Sequence, residues 1–518
     1  MKKKFKKVEP YVWILPSVLL MAIFILVPII FVFRMALSDV SKAGLIKGFA
    51  GLKNFRKVTS SPVFAMVLKN TLVWTVAVVG ISTLLGFILA ILLNNEFKGR
   101  KLARAVVVFP WATTLIVQAS IWKFIIDTDY GTLNTLLMKL GIIDHAVNWT
   151  PTAGAYFAWE IACGIFVTIP FVTFTVLSGL QSIDASYYEA AAVDGASYWQ
   201  KMFQITIPLV RPNLTISTIL NIIYVFNSFP IIWTITKGDP ANRTDTLVTY
   251  LYKLAFYNGK QGQAAAVSVI GFLILLFLRQ PVHGFRTEER RRIIWQTPML
   301  QLRKKITRNT VLRVLLYVVI IAICLITLYP YFVTVCTALK SRAEIFSMNG
   351  TIFPVEAIWS NFTDVWKLAP MSNYMMNSIV IAGGSTLLAM VCGIPAAYAL
   401  SRMKFKGQTA FLGFVIVSQM FAPVVLLIGI YKVMMAFHLT NSIIGLIFIN
   451  AAFNQAFAIW LLRGTFLSIS PEMEQAATID GCNRVHALLR ILLPVAAPGI
   501  VTALIFVFIN AWNDIQWH

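Results

Sequence analysis

The residues of this chain best suited to chemistry lie in two short polar segments surrounded by apolar sequence. Residues 189–208 read EAAAVDGASYWQKMFQITIP and residues 475–494 read QAATIDGCNRVHALLRILLP, with glycine, isoleucine and proline at the same offsets. An alanine-rich helix has little bulk, so it can enter a groove on another protein while neighbouring carboxylates meet basic partners there. The chemistry that this pattern favours is therefore protein contact.

Helix signals predict the same local structure in both segments. Ser470 before a proline is a favourable N-cap, and acidic residues in the first turn suit the helix dipole. Gly481 permits a bend, a second short helix is predicted over residues 485–492, and Pro494 restarts the chain. In the first segment Asp184 caps, Gly195 turns and Pro208 closes. Each segment is predicted to be a helix, a bend and a second short helix.

The candidate contact residues are those at the matched offsets. An ordinary loop with helix caps is the alternative for either segment alone, but two copies favour a shared role. The residues are Glu189, Ala190, Ala191, Asp194 and Gly195 in the first copy, and Glu474, Gln475, Ala476, Ala477, Asp480 and Gly481 in the second.

Enzyme chemistry is not indicated by any motif. The chain has no His-Glu-x2-His, no Gly-x-Ser-x-Gly and no Gly-x4-Gly-Lys-[Ser/Thr] loop, so no catalytic residue and no nucleotide site is nominated. The five cysteines are scattered without metal-ligand spacing, so no metal site is predicted. A membrane-embedded enzyme is therefore disfavoured.

Neutral polar side chains inside apolar segments are a second group of candidates. They are suited to the hydroxyl groups of a sugar, and hydrogen bonding between helices is the alternative interpretation. The residues are Asn221, Tyr224, Asn227 and Ser228 on one segment, and Asn450, Asn454 and Gln455 on another.

The elements that must position these residues are membrane helices. The chain has 518 residues, of which 58% are hydrophobic and 13% charged, and helices satisfy their own backbone groups in lipid. The sequence predicts an all-α polytopic membrane protein. Its first-half spans lie near residues 11–33, 66–93, 105–126, 154–179, 213–235 and 262–278, and its second-half spans near 311–335, 374–400, 409–432, 441–462 and 496–513.

Charge predicts the orientation of these spans. The net charge of +23 fits the positive-inside bias of membrane proteins better than nucleic-acid binding, because the basic residues sit in short loops between spans. A cytoplasmic N-terminus places both polar segments inside. The loop at residues 34–65 is then external, although it carries six basic residues.

The chain divides into two similar halves. We predict a first domain at residues 1–285 with a polar loop at 180–212, a basic linker at 286–310, and a second domain at 311–518 with a polar loop at 464–498. FKG occurs at 97–99 and 405–407, before the third span of each half. The second half has five spans against six, so a final helix is expected to be missing. Parallel repeats imply a pseudo-twofold axis along the membrane normal.

Both polar segments resemble the cytoplasmic EAA signature of the membrane (permease) subunits of binding-protein-dependent ABC importers. The first half resembles the longer subunit of the maltose-type, carbohydrate-uptake branch through residues 130–142 and 236–256. The second half resembles the shorter subunit through residues 377–407 and 511–514, with Gln475 in place of the usual glutamate. The resemblance implies two fused type I importer transmembrane domains in tandem, with six plus five helices.

The resemblance also implies a mechanism and partners. The polar segments would be coupling helices docked in a cytoplasmic ABC ATPase dimer, which binds ATP and Mg while this chain binds no cofactor. An extracytoplasmic binding protein would deliver the solute, a sugar, across the bacterial cytoplasmic (inner) membrane. Importers of glycerol phosphate or polyols, and a secondary transporter with two parallel repeats, are the alternatives. Near-absence of charge in the spans disfavours an ion-driven carrier.

Overall fold

The computed structural model describes residues 2–42, 44–284, 310–347 and 350–513. The first half contains α1 Lys2–Met21, α2 Val27–Ala36, β1 Ser38–Val40, β2 Ile46–Phe49, α3 Lys53–Thr59, α4 Pro62–Asn94, α5 Arg100–Ala112, α6 Leu115–Ile125, α7 Thr132–Lys139, α8 Ala153–Gln181, α9 Ala185–Val193, α10 Tyr198–Lys201, α11 Ile207–Phe226, α12 Pro230–Ile235, α13 Leu247–Tyr252 and α14 Gln261–Gly284. β1 and β2 form an antiparallel pair.

The second half contains α15 Thr310–Ala338, α16 Arg342–Ile345, α17 Ser360–Leu368, α18 Met371–Arg402, α19 Gln408–Ser418, α20 Pro423–Ala436, α21 Ile443–Ser468, α22 Pro471–Ile479, α23 Arg484–Ala487 and α24 Leu493–Asn513. In the part of the chain that the structure describes, π-helical turns interrupt the helices at Ala22–Leu26, Met202–Thr206, Lys253–Tyr257 and Leu488–Leu492. The predicted linker lies outside the described residues except for residue 310, and the domain boundaries stay a prediction.

In the described ranges, nine helices are long and apolar enough to cross a membrane, and two bent helix pairs raise the number to eleven. The prediction of six plus five spans and an all-α polytopic fold is confirmed. Neither third span is straight, however. α5 and α6 meet at 96°, and α19 and α20 meet at 105°. The apolar run hides these breaks because it continues across them.

Each break has a local cause. Thr114 leaves the helical backbone and accepts a hydrogen bond from the amide of Val117, which starts α6. Pro423 begins α20 and keeps Ala422 extended. Gly99 and Gly407, with φ of 89° and 92°, precede α5 and α19, so the FKG repeat marks the start of both bent spans.

The described residues form two compact units that do not coincide with the sequence halves. One unit contains residues 1–58, 251–272 and 366–518, and the other contains residues 59–250 and 273–365. The first span of each half therefore packs with helices of the opposite half. Ser17 of α1 donates to the carbonyl of Cys392 and accepts from the amide of Gln455. Tyr329 of α15 donates to the hydroxyl of Thr132.

Small residues bring the principal helices of each unit close together. In the first unit Gly393 of α18 faces Ala458 of α21, and an added Cβ would lie 3.5 Å from the Ala458 Cβ. In the second unit Gly164 of α8 lies against Trp74 of α4, where an added Cβ would approach the indole to 2.8 Å. Close backbone approach of this kind is how membrane helices gain packing energy.

In both halves an asparagine side chain binds the backbone at the end of the first span. The side-chain amide of Asn54 in α3 donates to the carbonyls of Ala36 and Ser38 at 3.0 and 2.8 Å. Asn361 in α17 donates to the carbonyls of Ala338 and Lys340 at 2.9 and 3.0 Å. Ala36 and Ala338 are the last residues of α2 and α15, where carbonyl groups lack intrahelical partners, and Ser38 and Lys340 lie two residues beyond.

Candidate functional site

The two polar segments have the same element order with a constant offset of 286 residues. α9 Ala185–Val193 corresponds to α22 Pro471–Ile479, and α10 Tyr198–Lys201 corresponds to α23 Arg484–Ala487. A five-residue π-helical turn follows each of these, and then α11 or α24. The predicted helix, bend and second helix are present in both.

The N-caps of the first helix in each segment are those predicted from the sequence, and the caps of the second helices were not predicted. The Asp184 carboxylate accepts a hydrogen bond of 2.9 Å from the amide of Ser186, and this bond holds the pKa of Asp184 below its usual range. The Ser470 hydroxyl accepts a bond of 3.3 Å from the amide of Glu472. Ser197 and Asn483 cap the second helices in the same way. Side chains that satisfy free amides thus define where all four short helices begin.

The bend in each segment is a left-handed glycine turn. Gly195 has φ of 73° and Gly481 has φ of 85°. The amide of Ala196 bonds to the carbonyl of Ala191, and the amide of Cys482 bonds to the carbonyl of Ala477. This pattern is the Schellman C-cap, for which glycine is preferred because it tolerates positive φ.

Neither proline acts as the sequence predicted. Pro208 and Pro494 were expected to end the second short helix, but helical structure runs continuously from Tyr198 and from Arg484 into the following span. Each proline is the second residue after a π-helical turn. The wider turn places backbone bonds five residues apart, which accommodates the amide that proline lacks.

The tips of both segments present apolar side chains to the exterior. Val193 is 88% exposed and Ile479, at the corresponding position, is 86% exposed. Trp199 is 66% exposed in the first segment, and Val485 is 49% exposed at the corresponding position of the second. Exposed apolar side chains grouped in this way mark interaction surfaces.

The predicted contact residues divide by exposure. Those on the exterior or partly exposed are Glu189, Ala190, Ala191, Asp194, Gly195, Gln475, Ala476, Asp480 and Gly481. Ala477 is buried. Glu474 is turned inward: its carboxylate accepts a hydrogen bond from the Tyr398 hydroxyl, and its Oε2 lies 3.5 Å from Nε of Arg402.

The amide candidates of the first half lie in different environments. Asn221 is buried and its amide donates to the hydroxyl of Ser82 in α4 at 3.2 Å, which is the helix-to-helix bond of the alternative interpretation. Tyr224 is 51% exposed, and Ser228 is buried. α11 ends at Phe226, so Asn227 and Ser228 lie beyond the helix that carries Asn221 and Tyr224.

The amide candidates of the second half are buried in α21. Gln455 donates to Ser17 at 2.7 Å, and Asn454 donates to the carbonyl of Asn450 at 3.0 Å. Both side-chain polar atoms of Asn450 lack a hydrogen-bond partner among the described residues. Oε1 of Gln455 also lacks a partner there, so Asn450 and Gln455 both have unused hydrogen-bonding capacity, and Asn450 has the more.

Sequence reasoning missed Glu160, a fully buried carboxylate in α8. It accepts a hydrogen bond of 2.7 Å from Thr236, whose hydroxyl lies 2.7 Å from that of Thr244. The signal was an acidic residue inside an apolar segment, which is costly and therefore informative. Within the described ranges no group of three or more His, Cys, Asp or Glu side chains could hold a metal ion.

Comparison with known proteins gives the same family twice along this chain. The family description "Binding-protein-dependent transport system inner membrane component" matches residues 82–280 and 389–517. Each match contains one of the two polar segments.

Individual relatives match about half of the chain over most of their own length. A probable ABC transporter permease protein of Brucella suis biovar 1 is 46% identical over 267 residues, covering 52% of this chain and 92% of the relative. The trehalose/maltose transport system permease protein MalF of Thermococcus litoralis is 34% identical over 278 residues, covering 53% and 92%. The sn-glycerol-3-phosphate transport system permease protein UgpA of Yersinia pestis is 30% identical over 283 residues, covering 54% and 94%.

Among solved structures, the crystal structure of a bacterial alginate ABC transporter in complex with an alginate pentasaccharide-bound periplasmic protein contains a similar chain. The alignment covers 55% of this chain and 97% of that chain, with a TM-score of 0.48 and 21% identity. The duplicated family match and the identity to full-length permeases, on a fold of nine to eleven apolar helices, agree with each other. This chain belongs to the family of inner membrane components of binding-protein-dependent transport systems, with the family domain present in tandem.

Proposed function

We propose that this chain forms the solute pathway of an ATP-driven sugar importer and couples it to a separate ABC ATPase through the two polar segments, hereafter the coupling segments. The observation that supports this proposal most directly is the matching architecture of the two segments. Each has a capped helix, a left-handed glycine turn and an exposed apolar tip, at an offset of 286 residues. A duplicated contact surface suits a dimeric partner, because two equivalent sites can engage two equivalent subunits.

The proposed mechanism is a change in the relative stability of two packings of the membrane helices. Binding of the ATPase supplies free energy that differs between the two packings, and only such a difference shifts the equilibrium. ATP and Mg are expected on the ATPase, and this chain is expected to be non-catalytic. The N-terminus and both coupling segments are expected on the cytoplasmic side, with a solute-binding protein on the other side.

A sugar is the proposed solute because a relative named for trehalose and maltose transport is 34% identical to this chain. Hydroxyl-rich solutes suit the neutral amides Asn227, Asn450 and Asn454, which carry no charge to exclude a neutral ligand. Glycerol phosphate is the second candidate, because a relative named for its transport is 30% identical.

Reconstitution tests the proposal. The full chain, co-purified with its ATPase and supplied with its binding protein in proteoliposomes, is expected to accumulate radiolabelled maltose or trehalose only when ATP is available to the ATPase. Glycerol 3-phosphate in a parallel assay separates the two solute classes. Uptake by the purified chain alone, driven by a proton or sodium gradient, would identify a secondary transporter and refute the proposal.

A further inference from the structure

The second coupling segment is fastened by an ion pair that the first one does not have at the corresponding position. The Glu474 carboxylate contacts Tyr398 and Arg402 of α18, and the side chains of Arg402 and Glu474 are only 8% and 17% exposed. In the first segment Tyr188 stands at the corresponding position, and its hydroxyl lies 2.9 Å from that of Thr206 in the same segment. The second segment is therefore joined to a membrane helix by charge, whereas the hydroxyl at the corresponding position of the first segment makes a neutral bond.

The contacts around Glu474 extend to two further helices. Arg402 also donates from Nη2 to the carbonyl of Ile469, at the end of α21, at 2.7 Å. Arg484 of α23 pairs with Glu9 of α1, with 3.0 Å between Nη1 and Oε2. The ring of Trp13 on α1 packs against the ring of Tyr398, with centroids 5.1 Å apart. The second coupling segment thus joins α1, α18 and α21 within one compact unit.

The low exposure of the Arg402 and Glu474 side chains favours a single geometry of their ion pair. Removing one partner of a buried ion pair leaves the other charge unpaired in a poor solvent, which costs more than the pair contributes when intact. Reorienting α22 relative to α18 would break the Glu474 pair in this way. A displacement applied to α22 is therefore passed to α18 instead of being absorbed in the loop.

We propose that Glu474, Tyr398 and Arg402 form an ionic tether that transmits movement of the second coupling helix to α18, and that Glu474 is a positioning residue which does not contact the ATPase. The proposal rests on the proposed function of the coupling segments. Gln475, which is exposed next to Glu474, remains the residue available for the partner. Tyr188, at the corresponding position of the first segment, carries no carboxylate, so this ion pair belongs to the second segment alone.

A distance measurement inside one unit tests the tether. Spin labels on cysteines at Met473 in α22 and Leu387 in α18 report the separation of these helices in the full chain, reconstituted in nanodiscs with and without the ATPase. The tether predicts that the distribution of distances between the two labels has one narrow peak. The position of this peak is expected to be the same without nucleotide and with ATP plus vanadate. Glu474→Gln and Tyr398→Phe are each expected to lose the single narrow peak. Glu472→Gln, which removes an exposed charge two residues away, is expected to keep it.

The outcomes separate the tether from the coupling proposal. Equal peak widths in the wild type, Glu474→Gln and Tyr398→Phe would overturn the tether, and Tyr398→Phe removes only a hydroxyl, so its folding is not at issue. Loss of ATPase binding in Glu474→Gln but not in Glu472→Gln would mean that Glu474 contacts the ATPase, which also overturns it. Restoration of the narrow peak by the exchange Glu474→Arg with Arg402→Glu would support it. Failure of the wild type to bind an ATPase refutes the proposed function while the distances without ATPase still test the tether.

Discussion

At the scale of single residues, the bends of the coupling segments depend on glycine for a backbone reason. Gly195 and Gly481 have φ of 73° and 85°, and nothing lies within 4 Å of a Cβ built on either. Space is therefore not what excludes a side chain. The left-handed conformation itself costs an L-residue roughly 1–2 kcal/mol, and more for a β-branched one.

We expect Gly195→Val and Gly481→Val to uncouple ATP hydrolysis from uptake while leaving the chain in the membrane. Valine would move the bend out of the left-handed region and so reorient the helix that carries the exposed tip. The measurement is solute accumulated per ATP hydrolysed in proteoliposomes. Mutations that modulate coupling without removing it act on a scale of about 2- to 30-fold.

Gly464→Val is the matched control for both variants. Gly464 is an exposed position of α21, and no atom lies within 4 Å of a Cβ built on it. Valine is at least as compatible with a right-handed helix as glycine. Coupling in this variant is expected to match the wild type. Unchanged coupling in the Gly195 and Gly481 variants would argue against the proposed coupling role of the two segments.

At the scale of elements, the two halves share a structural contact as well as sequence motifs. In each half an asparagine binds carbonyl groups at the end of the first span. Asn54 and Asn361 each donate two hydrogen bonds to carbonyls at the end of the preceding span. Their spacing to Asn70 and Asn377, which lie in α4 and α18, is 16 residues in both halves. The short helices α3 and α17 are therefore fixed in register with the spans on either side.

We expect Asn54→Ala to lower the free energy of unfolding by about 1–3 kcal/mol, because it leaves buried carbonyls without donors. Asn361→Ala should cost less, because Asn361 is exposed and water can replace its amide. Thermal unfolding of the detergent-purified chain measures both. Asn148→Ala is the control, because it removes an exposed side chain whose hydrogen bonds among the described residues stay within its own turn. An equal loss at Asn54 and Asn148 would contradict the closing role of Asn54.

Helix positions and caps were predictable from the sequence, because apolar runs and capping residues are local signals. Asp184, Ser470 and the glycine turns illustrate this. The bends of the third spans were not predicted, because apolar composition continues through them, although Thr114 and Pro423 are local signals that could have indicated the breaks. The inward orientation of Glu474 was not predictable either, because it depends on Tyr398 and Arg402, more than 70 residues earlier in the chain.

At the scale of the whole molecule, the sequence halves and the compact units differ. Repeats divide the chain near the basic linker, whereas packing places residues 1–58 with residues 366–518, and residues 273–365 with residues 59–250. A sequence repeat records similarity between segments. It contains no information on which copy of a helix packs with which neighbour, so only the structure gives this exchange of first spans.

The membrane orientation of the whole chain is the property on which two sequence signals disagree. Counting spans from a cytoplasmic N-terminus places the loop 34–65 outside, whereas its basic residues favour the inside. We expect Phe49→Cys, at a position 83% exposed in the basic loop 34–65, to react with a membrane-impermeant maleimide added outside intact cells. Leu102→Cys, 70% exposed in α5 just after the first FKG at 97–99, should react only after permeabilisation. Both substitutions belong in a background without the native cysteines. The reverse labelling pattern would invert the topology and place the coupling segments outside.

The central claim is that both coupling segments contact an ABC ATPase. Cysteines at Val193 and Ile479, carrying a photoactivatable crosslinker, test it in the assembled complex. The control is Leu140→Cys, which is exposed between α6 and α8 and is expected on the opposite side of the membrane from the coupling segments. The account predicts crosslinks to the ATPase from Val193 and from Ile479 and none from Leu140. Absence of ATPase crosslinks from either tip, in a complex that still hydrolyses ATP and transports solute, would contradict it.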